Sequence, residues 1–181
     1  MNIFALDLDP TVAAQYNCDK HVIKMILEVS QLLSTAHRVL DGTLIDGLSK
    51  SGRRQKQYVH SNESLYKATH INHPSAVYCR DSESQYVWAA KHLRALCDEY
   101  TYRYGKVHKT EQIGLVDWLY SNVPKNIGTK SVFDLPYPAM PDDCISSDVV
   151  ASYRKYYTIH KRHLAGWVGK INSRSVPSWY K

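Results

Sequence analysis

Apolar residues recur along the chain at steps of three, four and one, the spacing that places them on one face of an α-helix. The longest such run covers 17–40. Val22, Met25, Ile26, Val29, Leu32, Leu33, Ala36, Val39 and Leu40 form its apolar arc. Asp41-Gly42 follows as a stop signal, since Gly accepts the backbone angles beyond a last helical turn. A second run, 81–104, buries Tyr86, Ala89, Leu93, Leu96, Cys97 and Tyr100 and ends at Gly105. A third covers 110–122, with Ile113, Val116, Leu119 and Tyr120 inward and Thr110 as N-cap. The last starts at Ser147-Asp148, and Val149, Tyr153, Tyr156, Tyr157, His160, Leu164 and Trp167 step mostly by four and three.

Between these runs the pattern breaks. Residues 1–8 are apolar-rich and read as a strand-like lead or an extended arm. Asp9-Pro10 is a cap with Pro at the first helical position, opening a short helix to about Gln15. Residues 41–62 are polar, with Arg53, Arg54 and Lys56, and are expected to form a long, mobile basic loop. Pro124, Pro136, Pro138 and Pro141 make 124–144 irregular. In Asn72-His73-Pro74-Ser75 the residue before Pro is pushed out of the helical region, so Asn72 or His73 can cap a helix begun by Pro74. The expected fold is all-α: a single compact domain over 1–181, with about four main helices, a short extended N-terminus and long irregular loops. A basic, aromatic tail over 168–181 can dock on the body or on a ligand.

Composition adds two points. Fourteen Tyr and four Trp against two Phe imply many half-buried aromatics whose polar tips need partners. The formal charge of +6 is uneven: 1–100 holds eleven basic and eleven acidic residues, and 101–181 holds twelve and six. From Val149 onward there are seven basic residues and no acid. Such a bias suits a polyanionic partner, DNA first, or simply a basic surface. No apolar run reaches membrane-spanning length, no leader peptide is evident, and four scattered Cys suggest reduced thiols in a cytoplasmic protein. No Cys or His spacing supports a metal site, and no metal or cofactor is expected.

Candidate chemistry gathers at the start of the first long helix. Lys20, His21, Lys24, Glu28 and Gln31 share a strip beside its apolar arc, with Asp19 and His37 on the opposite border. Lys can supply an amine nucleophile and His can carry protons. The same strip also fits a solvated face with ion pairs four residues apart. The catalytic candidates are Lys20, His21, Lys24 and His37. Phosphate-ligand candidates are His73, Ser75 and Arg80 at the His-Pro helix start, with Arg38 and Arg154.

Met1–Phe4 (MNIF), Asp19–Met25 (DKHVIKM), Thr35–Arg38 (TAHR), Asn72–Ser75 (NHPS) and Tyr153–Tyr157 (YRKYY) resemble motifs of a family of uncharacterised phage and bacterial proteins. More distantly, the layout is similar to the pyrimidine-dimer DNA glycosylases. That resemblance implies a small basic helical fold, DNA as partner, attack of an amine on the sugar C1′ with a Glu assisting, and a flipped base. By position, the Arg-Glu pair of those enzymes falls on Lys20-His21, so Glu28 or Asp19 would have to replace the Glu. The amine would be that of Met1 or Lys20.

Three readings follow. One is a DNA-acting enzyme, a glycosylase/lyase or base-modifying enzyme, with Lys20, His21, Lys24, His37, His73 and Arg80 around one pocket. The second is a pocket for a nucleotide-type phosphorylated small molecule. The third is a non-enzymatic phage module that binds DNA or protein.

Overall fold

The computed structural model describes residues 1–49, 51–130 and 133–181. Lys50, inside the expected basic loop, and Ser131 and Val132, inside the Pro-rich stretch, lie outside the described residues. The fold is mainly helical. Its α-helices are α1 (Pro10–Tyr16), α2 (Asp19–Asp41), α3 (Pro74–Asp81), α4 (Glu83–Tyr104), α5 (Lys109–Gln112), α6 (Leu115–Ser121) and α7 (Val149–His160). Among the described residues no helix is long and apolar enough to cross a membrane.

α2 is the spine. The arc predicted from its spacing is buried from Val22 to Ala36, and Ser30, Ser34 and Thr35 are buried beside it. It packs against α3, α4 and α6, while α1 lies on α4. The caps follow side-chain chemistry. The Asp9 carboxylate accepts Thr11 N and Val12 N at 2.7 and 3.0 Å before α1. Ser82 Oγ accepts Gln85 N at the start of α4, Asp148 Oδ1 accepts Ala151 N at the start of α7, and His73 Nδ1 accepts Ser75 N before Pro74.

Two expectations need correcting. The helix expected over 110–122 is two helices, α5 and α6, separated where Gly114 takes φ 75°. Its cap is His108, whose Nδ1 accepts Thr110 N, because Thr110 itself is buried against Tyr66. The basic loop of 41–62 is largely an antiparallel hairpin, β1 (Thr43–Leu48) paired with β2 (Arg54–Val59). Its strands are mostly exposed, so the ladder rather than a buried face holds them, and no alternation of apolar residues announces it. Gly42 makes the junction: a Cβ there would lie 2.4 Å from Arg38 O and 2.6 Å from Val59 O.

The two chain ends close the fold. The extended arm buries Ile3, Phe4, Ala5 and Leu6 without pairing as a strand. It is held by Asn2 Nδ2 donating to Ala139 O, Tyr153 Oη donating to Asn2 Oδ1, and Arg154 Nε donating to Leu6 O. The tail docks on the body. Val168 N and Gly169 N donate to Asp19 Oδ2, and Arg174 grips Glu99 through Nε and Nη2, one edge of its guanidinium. Between them Arg103, with no exposed surface, donates to Glu99 Oε1 at 2.6 Å, Asp19 Oδ1 at 2.8 Å and Gln15 O at 2.8 Å.

Removing one partner of a buried ion pair strands the other charges. Arg103→Ala is therefore expected to lower the unfolding free energy by about 3–5 kcal/mol, whereas exposed Arg162→Ala changes it by less than about 0.5 kcal/mol. Urea unfolding curves of the two variants check this.

Candidate functional site

The first two turns of α2 and the extended arm share one wall. Lys20, His21, Lys24 and Glu28 keep the strip geometry read from their spacing, and the arm sets the chain start against it. The Met1 α-amine stands 3.9 Å from Glu28 Oε2. Asn2 N donates to the same oxygen at 3.1 Å, and Lys24 Nζ is 3.2 Å from Oε1. A cavity of about 350 Å³ opens here, closed by Phe4, Ala139, Tyr156, Lys161 and Leu164. Lys161 Nζ lies 4.8 Å from the centre of the Tyr156 ring. Glu28, the one carboxylate among the described lining residues, shares the pocket with four amines, those of Met1, Lys20, Lys24 and Lys161, and the first and third of these stand 3.9 and 3.2 Å from it. Such a lining attracts an anion.

His21 is the buried member. Its ring stacks on Phe4 at 4.3 Å, and a chain of hydrogen bonds assigns its tautomer. Asn17 Nδ2 donates to Ala13 O, so Asn17 Oδ1 is an acceptor and takes the Tyr157 hydroxyl proton at 3.1 Å. The Tyr157 oxygen then accepts from His21 Nδ1, 2.5 Å away, which leaves the lone pair on Nε2. Burial first, then Lys161 and Lys24, push the ring's pKa down to about 3. At neutral pH His21 is an uncharged hydrogen-bond acceptor, not a group that switches charge.

The other candidate residues are distributed. His73 is half-buried and close enough to the Met1 ammonium and Glu28 for both charges to act on it. Desolvation, the ammonium and His70 lower its pKa, while Glu28 raises it. The His-Pro corner is thus a neighbour of the pocket, though it is not among the residues lining it. Ser75 Oγ is buried and has no partner among the described residues.

Three arginines have their donors engaged by the fold. Arg38 donates to the carbonyls of Tyr66, Tyr58 and Leu65. Arg80 Nη1 donates to Ile71 O at 2.6 Å. Arg154 donates to Leu6 O and pairs with Asp7. His37 lies sixteen residues beyond His21 on the same helix, about 24 Å along its axis, and lines a different cavity with Asp41 and His60. The expected single pocket containing His21, His37 and Arg80 is therefore divided, because the length of α2 separates the two imidazoles and Arg80 closes its own helix start.

The spacing of α2 could point to Glu28 but not to Met1, Asn2, Ala139, Tyr156 or Lys161, which arrive from other segments. The largest described cavity, about 470 Å³, lies between α1 and α4. Its Lys91 and Arg94 share it with Asp9 and Asp98, and Arg94 is already paired with Glu111 and Asp117. Volume alone does not make it the better site.

Burial holds His21 near a pKa of 3 and His37 and His92 near 4, against 6.5 when unfolded. The unfolded chain therefore takes up protons first as pH falls. The stability these rings contribute is complete above pH 6.5 and declines as pH drops toward 4, by up to about 1.4 kcal/mol per pH unit for each ring. Urea midpoints across this interval should fall steadily, and less steeply in His92→Gln.

Compared with protein-family models, with curated proteins and with solved structures, the chain finds no match in any of the three.

Proposed function

We propose that this chain is a DNA-acting enzyme of phage or bacterial origin, a single helical domain working in the cytoplasm, that uses an amine of the α2 pocket as a nucleophile toward a deoxyribose C1′. One observation carries the reading: Glu28 sits between the Met1 α-amine and Lys24 Nζ, at 3.9 and 3.2 Å, inside a pocket with two further lysines. An amine for attack, a carboxylate for proton transfer and cations for flanking phosphates are the components such a reaction requires. The resemblance to pyrimidine-dimer glycosylases names the same pairing of amine and Glu, with Glu28 in place of the family's residue.

The lone pair of the unprotonated amine bonds to C1′ as the bond from C1′ to the base nitrogen breaks. The base leaves with that electron pair and takes a proton from water. Glu28 accepts a proton from the new C1′ ammonium and returns it to O4′ as the ring opens, leaving an iminium at C1′. Neutral His21 offers an acceptor lone pair to the sugar or base. Lys20 and Lys161 hold phosphate.

The pocket volume of about 350 Å³ also lies within the range of small-molecule sites, about 300–1,000 Å³. A free nucleotide is accordingly the second reading.

Incubation with duplexes holding a cyclobutane pyrimidine dimer or an abasic site, with cyanoborohydride present, should trap a covalent adduct, and peptide mass mapping should place it on Met1 or Lys24. Glu28→Gln should slow its formation by about 100-fold or more. No adduct on either duplex would defeat the proposal. A thermal shift with thymidine monophosphate that is lost in Lys20→Ala/Lys161→Ala, without salt-sensitive duplex binding, would favour the nucleotide reading instead.

A further inference from the structure

The far end of α2 carries a second polar cluster that the amine pocket does not use. His37 is buried, with 2% of its surface exposed. Its Nε2 lies 2.8 Å from Tyr86 Oη and 3.2 Å from Asn122 O. Tyr86 gives its own proton to Leu119 O at 3.0 Å, so both of these neighbours accept from His37, and the ring proton belongs on Nε2. The lone pair on Nδ1 then points toward Asp41 Oδ2, 3.9 Å away, and no donor meets it among the described residues. Two electron-pair donors, one of them on a buried ring, face each other across a gap too wide for a hydrogen bond. A group from the adjoining cavity, either a water donating to both or a cation accepting both lone pairs, can bridge them.

The neighbours keep the pair in place. Asp41 Oδ2 accepts Lys125 N at 2.8 Å, and Oδ1 accepts Asn126 N at 3.0 Å and Asn126 Nδ2 at 3.1 Å. These donors orient the carboxylate as outer-shell partners orient a metal ligand. Trp118 packs on the His37 ring, their centres 4.7 Å apart. The close passage at Gly42 brings the end of β2 back over the helix terminus, and His60 follows directly. The donor atoms of His37, Asp41 and His60 all lie within 4.8 Å of one another. Ligands about 2 Å from one ion stand about 3–4 Å apart, so a contraction of about an ångström would close the set.

We propose that His37 Nδ1, an Asp41 carboxylate oxygen and a ring nitrogen of His60 bind a divalent transition-metal ion of the zinc class, with solvent in the adjoining cavity completing its shell. Two imidazoles and one carboxylate suit Zn²⁺ and its first-row neighbours. Mg²⁺ and Ca²⁺ prefer all-oxygen sets. The cavity beside the cluster, about 390 Å³, leaves ligand positions open to solvent. His60 Nδ1 accepts Asn62 N at 2.9 Å. Ligation through Nε2 moves the ring proton to Nδ1, and ligation through Nδ1 displaces the amide directly. By either route the Asn62 amide gives up this acceptor, which provides a local reporter.

The test uses the full chain after chelator treatment, titrated with Zn²⁺ by calorimetry and with Co²⁺ by visible absorption. One ion per chain is expected, with Co²⁺ ligand-field bands and a shift of the Asn62 amide resonance. His60→Ala, at the surface edge of the site, should weaken binding at least about 10-fold, with the variant still folded by circular dichroism. Asp41→Asn should also weaken it, and excess Mg²⁺ should not compete. Absence of uptake at free Zn²⁺ on the order of millimolar, where the binding free energy is only about −4 kcal/mol, overturns the proposal. So does affinity unchanged in His60→Ala. Binding that is lost instead in His160→Ala overturns it as well and places the ion at the exposed cluster of Asp143, Cys144 and His160.

Discussion

The guanidinium of Arg103 joins parts of the chain that no local rule brings together. It has no contact with solvent and gives its donors to the Asp19 carboxylate at the start of α2, the Glu99 carboxylate one turn back on α4, and the Gln15 carbonyl at the end of α1. The same two carboxylates then receive the tail, Asp19 through the amides of Val168 and Gly169 and Glu99 through Arg174. A buried charge is tolerable only when every facing group is matched. The set therefore demands one mutual position for α1, α2, α4 and the tail. That position brings the first turns of α2 beside the N-terminal arm, and so it underlies the amine pocket.

The uneven charge along the sequence takes on a different meaning in this light. The basic region from 101 onward reaches back to acids of the first hundred residues: Arg154 to Asp7, Arg174 to Glu99, Arg103 to Asp19. His160 and Lys155 meet Asp143, the one through its carboxylate and the other through its carbonyl. Much of the positive excess fastens the two ends of the chain together. Other basic residues stay clear of these ties: Lys20, Lys24 and Lys161 line the pocket with Glu28, and Arg53, Arg54 and Lys56 are exposed on the hairpin.

Helical spacing carried a large part of the structure. The arc of α2, the Asp9-Pro10 and Asp148 starts, the Gly105 stop and the His73 cap all depend on residues within a turn or two of one another, so they are legible in order along the chain. The hairpin is not, because its strands bury almost nothing and leave no alternation. The division of 110–122 turns on Gly114 and on the burial of Thr110 against Tyr66, a contact 44 residues distant. The pocket is legible by the same criterion: Lys20, His21, Lys24 and Glu28 are fixed relative to one another by helix geometry, while the Met1 amine, Ala139 and Lys161 reach it only through tertiary packing. Arg38, Arg80 and Arg154 looked like phosphate ligands as residue types. Each donates to at least one backbone carbonyl, and Arg154 also pairs with Asp7, partners invisible without coordinates.

The two imidazoles on α2 show why residue type and position cannot finish such a reading. His21 and His37 sit on one helix, both buried and both held neutral by desolvation. They differ in what grips the ring from behind. Tyr157, its proton given to Asn17, takes the Nδ1 hydrogen of His21 and leaves the lone pair on Nε2, on a ring that lines the amine pocket. Tyr86, its proton given to Leu119, takes the Nε2 hydrogen of His37 and turns Nδ1 toward Asp41. In each case a tyrosine with a committed proton chooses the tautomer, and the tautomer chooses which face of the ring offers a lone pair. Facing cations, that lone pair can serve a polar ligand held among them. Facing a carboxylate, it leaves a gap that a bridging donor or a cation can fill. The distinction rests on two hydroxyl hydrogens, and a Tyr→Phe substitution at either position removes the group that makes the choice while keeping the ring that packs.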